Sequence, residues 1–273
     1  MSKSLQYRLI VSGIGIPLLI FLLSIPQALY TVLLFSLFGM LGIYEGVRLL
    51  ARVEMKTPLV LLLLGTLALT SLPLWQGMRA GLDVFFFVFI AWVFLIMLNQ
   101  LFTLTPGRQG LSSMAASLFL FTYFGLFWAL MMQLRTYGPF GGFYLLLTFF
   151  TVWGGDSGAY FTGKYLGRHK LFPSVSPKKT WEGVAGNYLG AYLGVLLFRL
   201  CIFSGVPWAH LLILAPCLGT ISLFSDLMES FIKRCAGVKD SGILFPGHGG
   251  VLDRADSITF SAAAVLFYVH YLQ

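Results

Sequence analysis

The chain has 273 residues, 58% of them hydrophobic and only 10% charged, with a mean hydropathy of +0.86 and a formal net charge of +8. Soluble domains carry about 25% charged residues, so this composition excludes an ordinary soluble enzyme and points to a polytopic membrane protein. The excess of positive charge belongs mostly to topology and inner-leaflet lipid, and no nucleic-acid partner is expected.

Runs able to span about 30 Å of hydrocarbon at 1.5 Å per residue predict about nine transmembrane helices. In chain order they are Leu9 to Ile25, Ala28 to Leu50, Pro58 to Leu74, Leu82 to Leu101, Leu111 to Leu134, Gly142 to Thr162, Gly183 to Phe203, His210 to Ile232 and Ala255 to Leu272. The first, preceded by Lys3 and Arg8, has no clear small-residue cleavage site and is followed by eight more spans. It therefore reads as a retained helix rather than a secretory signal. The Phe-rich stretch "DVFFFVFIAWVF" in the fourth is lipid-facing or packed helix. Gly186, Gly190 and Gly194 recur every four residues in the seventh, a spacing that suits close helix packing. Cys201, Cys217 and Cys235 lack metal-ligand spacing and read as inert packing residues.

Orientation follows from the cations. With the N-terminus inside, Lys3, Arg8, Arg48, Arg52, Lys56, Arg108, Lys164, Arg168, Lys170, Lys178, Lys179, Lys233, Arg234, Lys239 and Arg254 fall on the inner side. Only Arg79 and Arg135 fall outside, with Arg199 near the outer end of the seventh span. This positive-inside bias predicts an all-α polytopic integral membrane protein with a cytoplasmic N-terminus.

The acids divide the chain. Residues 1–155 hold only Glu45, Glu54 and Asp83, whereas Asp156, Glu182, Asp226, Glu229, Asp240, Asp253 and Asp256 follow. Residues 1–141 thus read as a membrane scaffold of about five helices. Residues 142–273 read as a catalytic membrane region of about four, with loops 163–182 and 233–254 on the inner side. A charge at mid-membrane costs about 2.5 to 3.5 kcal/mol, so acids at these positions imply a use. In the eighth span Asp226, Glu229, Ser230 and Lys233 stand at i, i+3, i+4 and i+7, on one helical face. Glu45, near the inner end of the second span, is left out of the core set.

Two inner loops carry the phosphate-type chemistry. In "SPKKTWEG", Ser176 before Pro177 predicts a helix start, with Lys178 and Lys179 in its first turn, where a bound anion would offset their conflict with the helix dipole. In "AGVKDSGILFPGHGGVLDRADS", Gly237, Gly242, Gly247, Gly249 and Gly250 permit turns whose N–H groups can face phosphate oxygens. Asp226 and Asp253 offer the hard oxygen ligands that Mg²⁺ prefers. His248 reads first as an organiser of this loop and second as a base.

Ser230, Lys233, Arg234, Lys239, Asp240, Pro246, His248, Gly249, Gly250, Asp253, Arg254 and Asp256 form a spaced signature that resembles that of the phosphatidate cytidylyltransferases, or CDP-diacylglycerol synthases. The segments "GGDSGAYFTGKYLGRHKL" and "SPKKTWEG" are similar to two further blocks of that family, so the likeness runs from about Val152 to Ser257. Ala255 departs from the larger aliphatic residue usual there, a change that touches packing beside Asp253. The resemblance implies transfer of CMP from CTP to phosphatidic acid, giving CDP-diacylglycerol and pyrophosphate for phospholipid biosynthesis. It implies Asp226 and Asp253 as Mg²⁺ ligands, with a second cation left open. Lys233, Lys239, Arg254 and His248 join them as catalytic candidates. Ser176, Lys178, Lys179, Thr180, Ser230, Arg234, Gly249 and Gly250 are expected to bind substrate. Asp156, Glu182, Glu229, Asp240 and Asp256 are expected to position those cations or support the metal ligands. The expected setting is a bacterial inner (cytoplasmic) membrane with the active site facing the cytosol, among membrane lipids. Glycine-bearing helix surfaces and the resemblance both lean toward a homodimer. Competing readings are a cytidylyltransferase or kinase for another lipid, and an anionic-lipid or phosphate transporter; the latter predicts polar residues on both sides of the midplane and an internal repeat, neither of which is seen.

Overall fold

A backbone crossing hydrocarbon must satisfy its own hydrogen bonds, which leaves the helix as the natural state for each apolar run. The computed structural model describes residues 3–76, 82–244 and 249–272, and it is helical over nearly all of them. The helices are α1 (Lys3–Ser24), α2 (Ala28–Ala51), α3 (Leu59–Gln76), α4 (Leu82–Thr103), α5 (Arg108–Leu120), α6 (Phe127–Arg135), α7 (Gly141–Tyr165), α8 (Trp181–Cys201), α9 (Trp208–Cys235) and α10 (Leu252–Tyr271). A π-helical turn, Phe121–Leu126, joins α5 to α6 in one continuous rod, so each predicted run corresponds to one rod to within a few residues. Five of these, Ala28–Ala51, Leu82–Thr103, Arg108–Arg135, Trp181–Cys201 and Trp208–Cys235, are long and apolar enough to cross a bilayer. The protein is an all-α integral membrane protein in its overall class.

One element departs from that class. Lys170–Phe172 (β1) and Ser176–Thr180 (β2) form an antiparallel hairpin between α7 and α8. The helix start expected at Ser176 is therefore incorrect: Ser176, Lys178 and Lys179 lie on a strand, and the helix begins at Trp181. Thr180 is the N-cap, its hydroxyl accepting the Gly183 N–H at 3.1 Å, which satisfies one of the helix's unpaired first-turn donors. Pro177, lacking an N–H, is tolerated because a two-stranded hairpin consists only of edges.

The α8 glycine repeat packs against α7. A Cβ built on Gly158 of α7 would lie 3.0 Å from Gly190 Cα, and one built on Gly194 would lie 3.2 Å from Thr151 Cα. Backbone faces backbone here, as the small-residue repeat predicts, and the stripe is filled from within the chain. That surface is therefore not open to a second copy of the chain. The cysteines also differ from expectation: Cys201, Cys217 and Cys235 are exposed on helix surfaces and not packed. In α4 only Phe85, Ile96 and Gln100 are buried, which leaves its Phe-rich faces outward, as suits lipid contact.

The helix ends gather into two poles. At one, Arg135 of α6 donates to the Ile25 carbonyl at 2.7 Å, and the Tyr137 hydroxyl lies 3.4 Å from His270 Nδ1. At the other, Gln100 of α4 donates to Ser117 Oγ at 2.7 Å and to the Lys56 carbonyl at 3.1 Å. The charged cluster described next lies at this second pole, where α9 ends and α10 begins.

Candidate active site

A cavity of about 970 Å³ opens between the helices and the hairpin. One part is apolar, lined by Leu19 of α1, Phe35 of α2, Trp128 and Met131 of α6, and Phe149 and Trp153 of α7. The other is charged, lined by Asp156 of α7, Lys179 of β2, Asp226 of α9, and Asp253, Arg254 and Asp256 of α10. Lys164, Lys170, Lys178 and Thr180 line it as well. Asp156 and Arg254 are exposed to this space, and Arg254 has no ion pair among the described residues.

The face expected on α9 is present. Asp226 pairs with Lys179 Nζ at 2.8 Å and accepts from Ser230 Oγ at 3.3 Å. One turn on, buried Lys233 bridges two buried carboxylates, contacting Glu229 and lying 2.7 Å from Asp253 Oδ1. Beyond its ion pair with Lys233, neither Glu229 oxygen has a hydrogen-bond partner. Four carboxylates, Asp226, Glu229, Asp253 and Asp256, thus meet two ammonium groups, Lys179 and Lys233. Their formal count leaves an excess of two negative charges. Uncompensated charge is costly away from water, so the cluster calls for protons or a bound cation as its complement.

Oxygens of Asp226, Glu229 and Asp256 lie within 4.8 Å of one another, close enough to share one ion. This hard-oxygen donor set, with Glu229 Oε1 left without a partner, fits Mg²⁺. Asp253 is engaged differently. Its Oδ2 accepts from Ser241 N, Ser241 Oγ and Gly250 N, each at 2.8 Å, while Oδ1 takes Lys233. The close trio therefore joins Asp226 to Glu229 and Asp256, two acids that had been expected to stand behind the metal ligands.

The glycine-rich loop is organised inward. At the end of α9, Gly237 adopts φ +68 and donates to the Arg234 carbonyl at 3.0 Å, and Val238 donates to that of Lys233 at 2.9 Å. Such a left-handed stop is inexpensive for glycine and turns the chain back. Gly249 has φ +86, and a side chain there would run into Asp253. The Gly250 N–H, expected to be free for phosphate, is instead taken by Asp253.

Several predicted residues stand away from the cavity. Glu182 accepts the N–H of Arg168 at 3.1 Å and contacts His169 Nδ1 at 2.6 Å, so it ties the hairpin to α8 and positions no cluster cation. Arg234 spends its guanidinium on the carbonyls of Val175, at 3.3 Å, and Val238, at 2.8 Å. Ser176, Lys239 and Asp240 do not line the cavity, and the last two are exposed. His248 lies outside the described residues. Sequence reasoning missed Ser241 and set Glu45 aside. The available signal for Glu45 was its rarity, as one of three acids in the first 155 residues.

Helices that can cross a bilayer, enclosing a cavity half apolar and half charged, define an integral membrane protein with a built polar site. A profile described as the cytidylyltransferase family matches residues 6–272. The chain belongs to the cytidylyltransferase family. It is 31% identical over 261 residues to a phosphatidate cytidylyltransferase of Bacillus subtilis, covering 94% of each chain. It is 47% identical over 143 residues to the Haemophilus influenzae protein of that name, covering 50% of this chain and 48% of that one. Against its Brucella suis namesake it is 40% identical over 176 residues, covering 64% of this chain and 63% of that one.

Proposed function

We propose that the chain transfers CMP from CTP to phosphatidic acid, forming CDP-diacylglycerol and pyrophosphate in phospholipid biosynthesis. The observation that carries this reading is one cavity whose apolar part, around Trp128 and Phe149, runs into a charged part around Asp226 and Arg254. A lipid with an anionic head matches both halves at once.

A phosphate monoester oxygen of phosphatidic acid attacks the α-phosphorus of CTP. The bond from that phosphorus to the bridging oxygen breaks, and pyrophosphate departs. A phosphate monoester has a second pKa of about 6, so the nucleophile is already anionic near neutral pH and no strong base is required. The chain's task is to bring anions together and stabilise their charge. Arg254, Lys178 and Lys179 hold phosphates, with Thr180 beside them, while Ser230, which does not line the cavity, steadies Asp226. Lys233 keeps Asp253 and Glu229 in place, and Asp156 balances Arg254 across the cavity. Asp226, with Asp253 on the same wall and Glu229 and Asp256 next to it, would hold Mg²⁺, with a second cation left open. Such an ion supplies Lewis-acid stabilisation of developing phosphate charge.

The positive-inside count and the two poles support nine spans, a cytoplasmic N-terminus and a site facing the cytosol across a bacterial inner membrane. The division into residues 1–141 and 142–273 suits the charged groups, although α1, α2 and α6 of the first part wall the apolar half. A homodimer would use a face other than the filled glycine stripe.

Radiolabelled CTP supplied with a panel of lipid acceptors tests the activity. Label entering lipid with phosphatidic acid alone is the expected result. No labelled lipid from any acceptor sinks the enzymatic reading. Asp226→Asn and Asp253→Asn at saturating Mg²⁺ test the metal assignment, and near wild-type transfer by both would overturn it.

A further inference from the structure

Glu45 of α2 is 8% exposed and lines no part of the cavity, yet it reaches the loop that carries the site. Its Oε2 accepts the Leu252 N–H at 3.0 Å across 207 residues of sequence, and Ser241 Oγ at 3.2 Å. Side chains built on Gly242 or Gly250 would both strike this carboxylate, so the two arms of the loop close upon it. The N-cap of α10, Val251, offers no side-chain cap. Helix N-termini leave their first N–H groups unpaired and favour negative charge, and here a carboxylate from another helix meets both needs. The Ser241 hydroxyl lies between the two carboxylates, 3.2 Å from Glu45 and 2.8 Å from Asp253, and shares its one proton between them, while the Ser241 N–H donates to Asp253 at 2.8 Å.

We propose that Glu45 is a positioning residue for the reaction proposed above: it fixes the start of α10, and through it Asp253 and Arg254. The inference rests on that activity and extends it, since Glu45 itself touches no substrate. Misplacing reacting groups lowers the rate of the bound complex, whereas a merely structural contact changes only how much protein is folded.

The test uses Glu45→Gln in the full-length protein, with Ile43→Ala as control. Ile43 is fully buried on the same helix and lines no part of the cavity, so its truncation should lower the melting temperature without moving kcat per folded molecule. Glu45→Gln should lower kcat about 10- to 100-fold, with KM for CTP changed less than about threefold. Amide hydrogen exchange in 249–254 should quicken about tenfold, with other segments unchanged. If Glu45→Gln does not fold, Glu45→Asp, which keeps the charge but shortens the reach, is read by the same criteria. A kcat less than about fivefold below wild type, or unchanged exchange in 249–254, overturns the proposal. Absence of transfer by the wild type would instead overturn the activity reading, while exchange would still decide whether Glu45 holds the loop.

Discussion

Lys233 stands between Glu229 and Asp253, all three largely withdrawn from solvent. Removing one partner of such a group strands the other charges, at about 3 to 5 kcal/mol. Lys233→Met should therefore lower stability by about that much and transfer by more than about 100-fold, read by thermal unfolding in detergent and by labelled-lipid formation. Adding Glu229→Gln to it should recover part of the lost stability but little activity. Simple additivity of the two substitutions would show that the pair is not coupled. The i, i+3, i+4, i+7 face of α9 was legible because a helix repeats locally. That Lys233 reaches across to Asp253, and that Glu45 reaches Leu252, was not, because those distances depend on how α2, α9 and α10 pack.

At the scale of elements, α7 and α8 approach through glycines, and Asp156 rides on the same stretch of α7. A Cβ on Gly158 meets the Gly186 carbonyl and the Gly190 Cα, neither of which is the movable end of a side chain. Gly158→Ala should force the helices apart, cost about 1 to 3 kcal/mol, and reduce transfer by shifting Asp156. Gly13→Ala, with nothing within 4 Å of the added carbon, should do neither. Equal melting temperatures for the two variants would contradict the packing described. The glycine spacing announced a packed face, although not the partner. The hairpin was misread for a related reason: Ser176-Pro177 is an adequate local helix start, and only cross-strand pairing with β1, together with the Thr180 cap, moves the start to Trp181.

For the whole molecule, the proposed topology puts the end of α8 outside and the end of α9 inside. The native cysteines report both, since Cys201 and Cys235 are exposed near those ends. In right-side-out vesicles a membrane-impermeant maleimide should label a variant retaining only Cys201 and leave one retaining only Cys235 untouched. Inverted vesicles should reverse the result, and the opposite pattern in either preparation would refute the orientation. Hydropathy alone determined the rods, and charge asymmetry alone suggested their direction, because both are sums over neighbouring residues. The spaced signature from Ser230 to Asp256 likewise pointed to the family, through its resemblance to that family's pattern. Tertiary structure decided which carboxylates meet, that a strand carries the two lysines, that the glycine stripe is filled from within, and that an acid of the first half braces the loop of the second. Each of these depends on contacts between residues far apart in the chain, whose distances are set only when the helices pack.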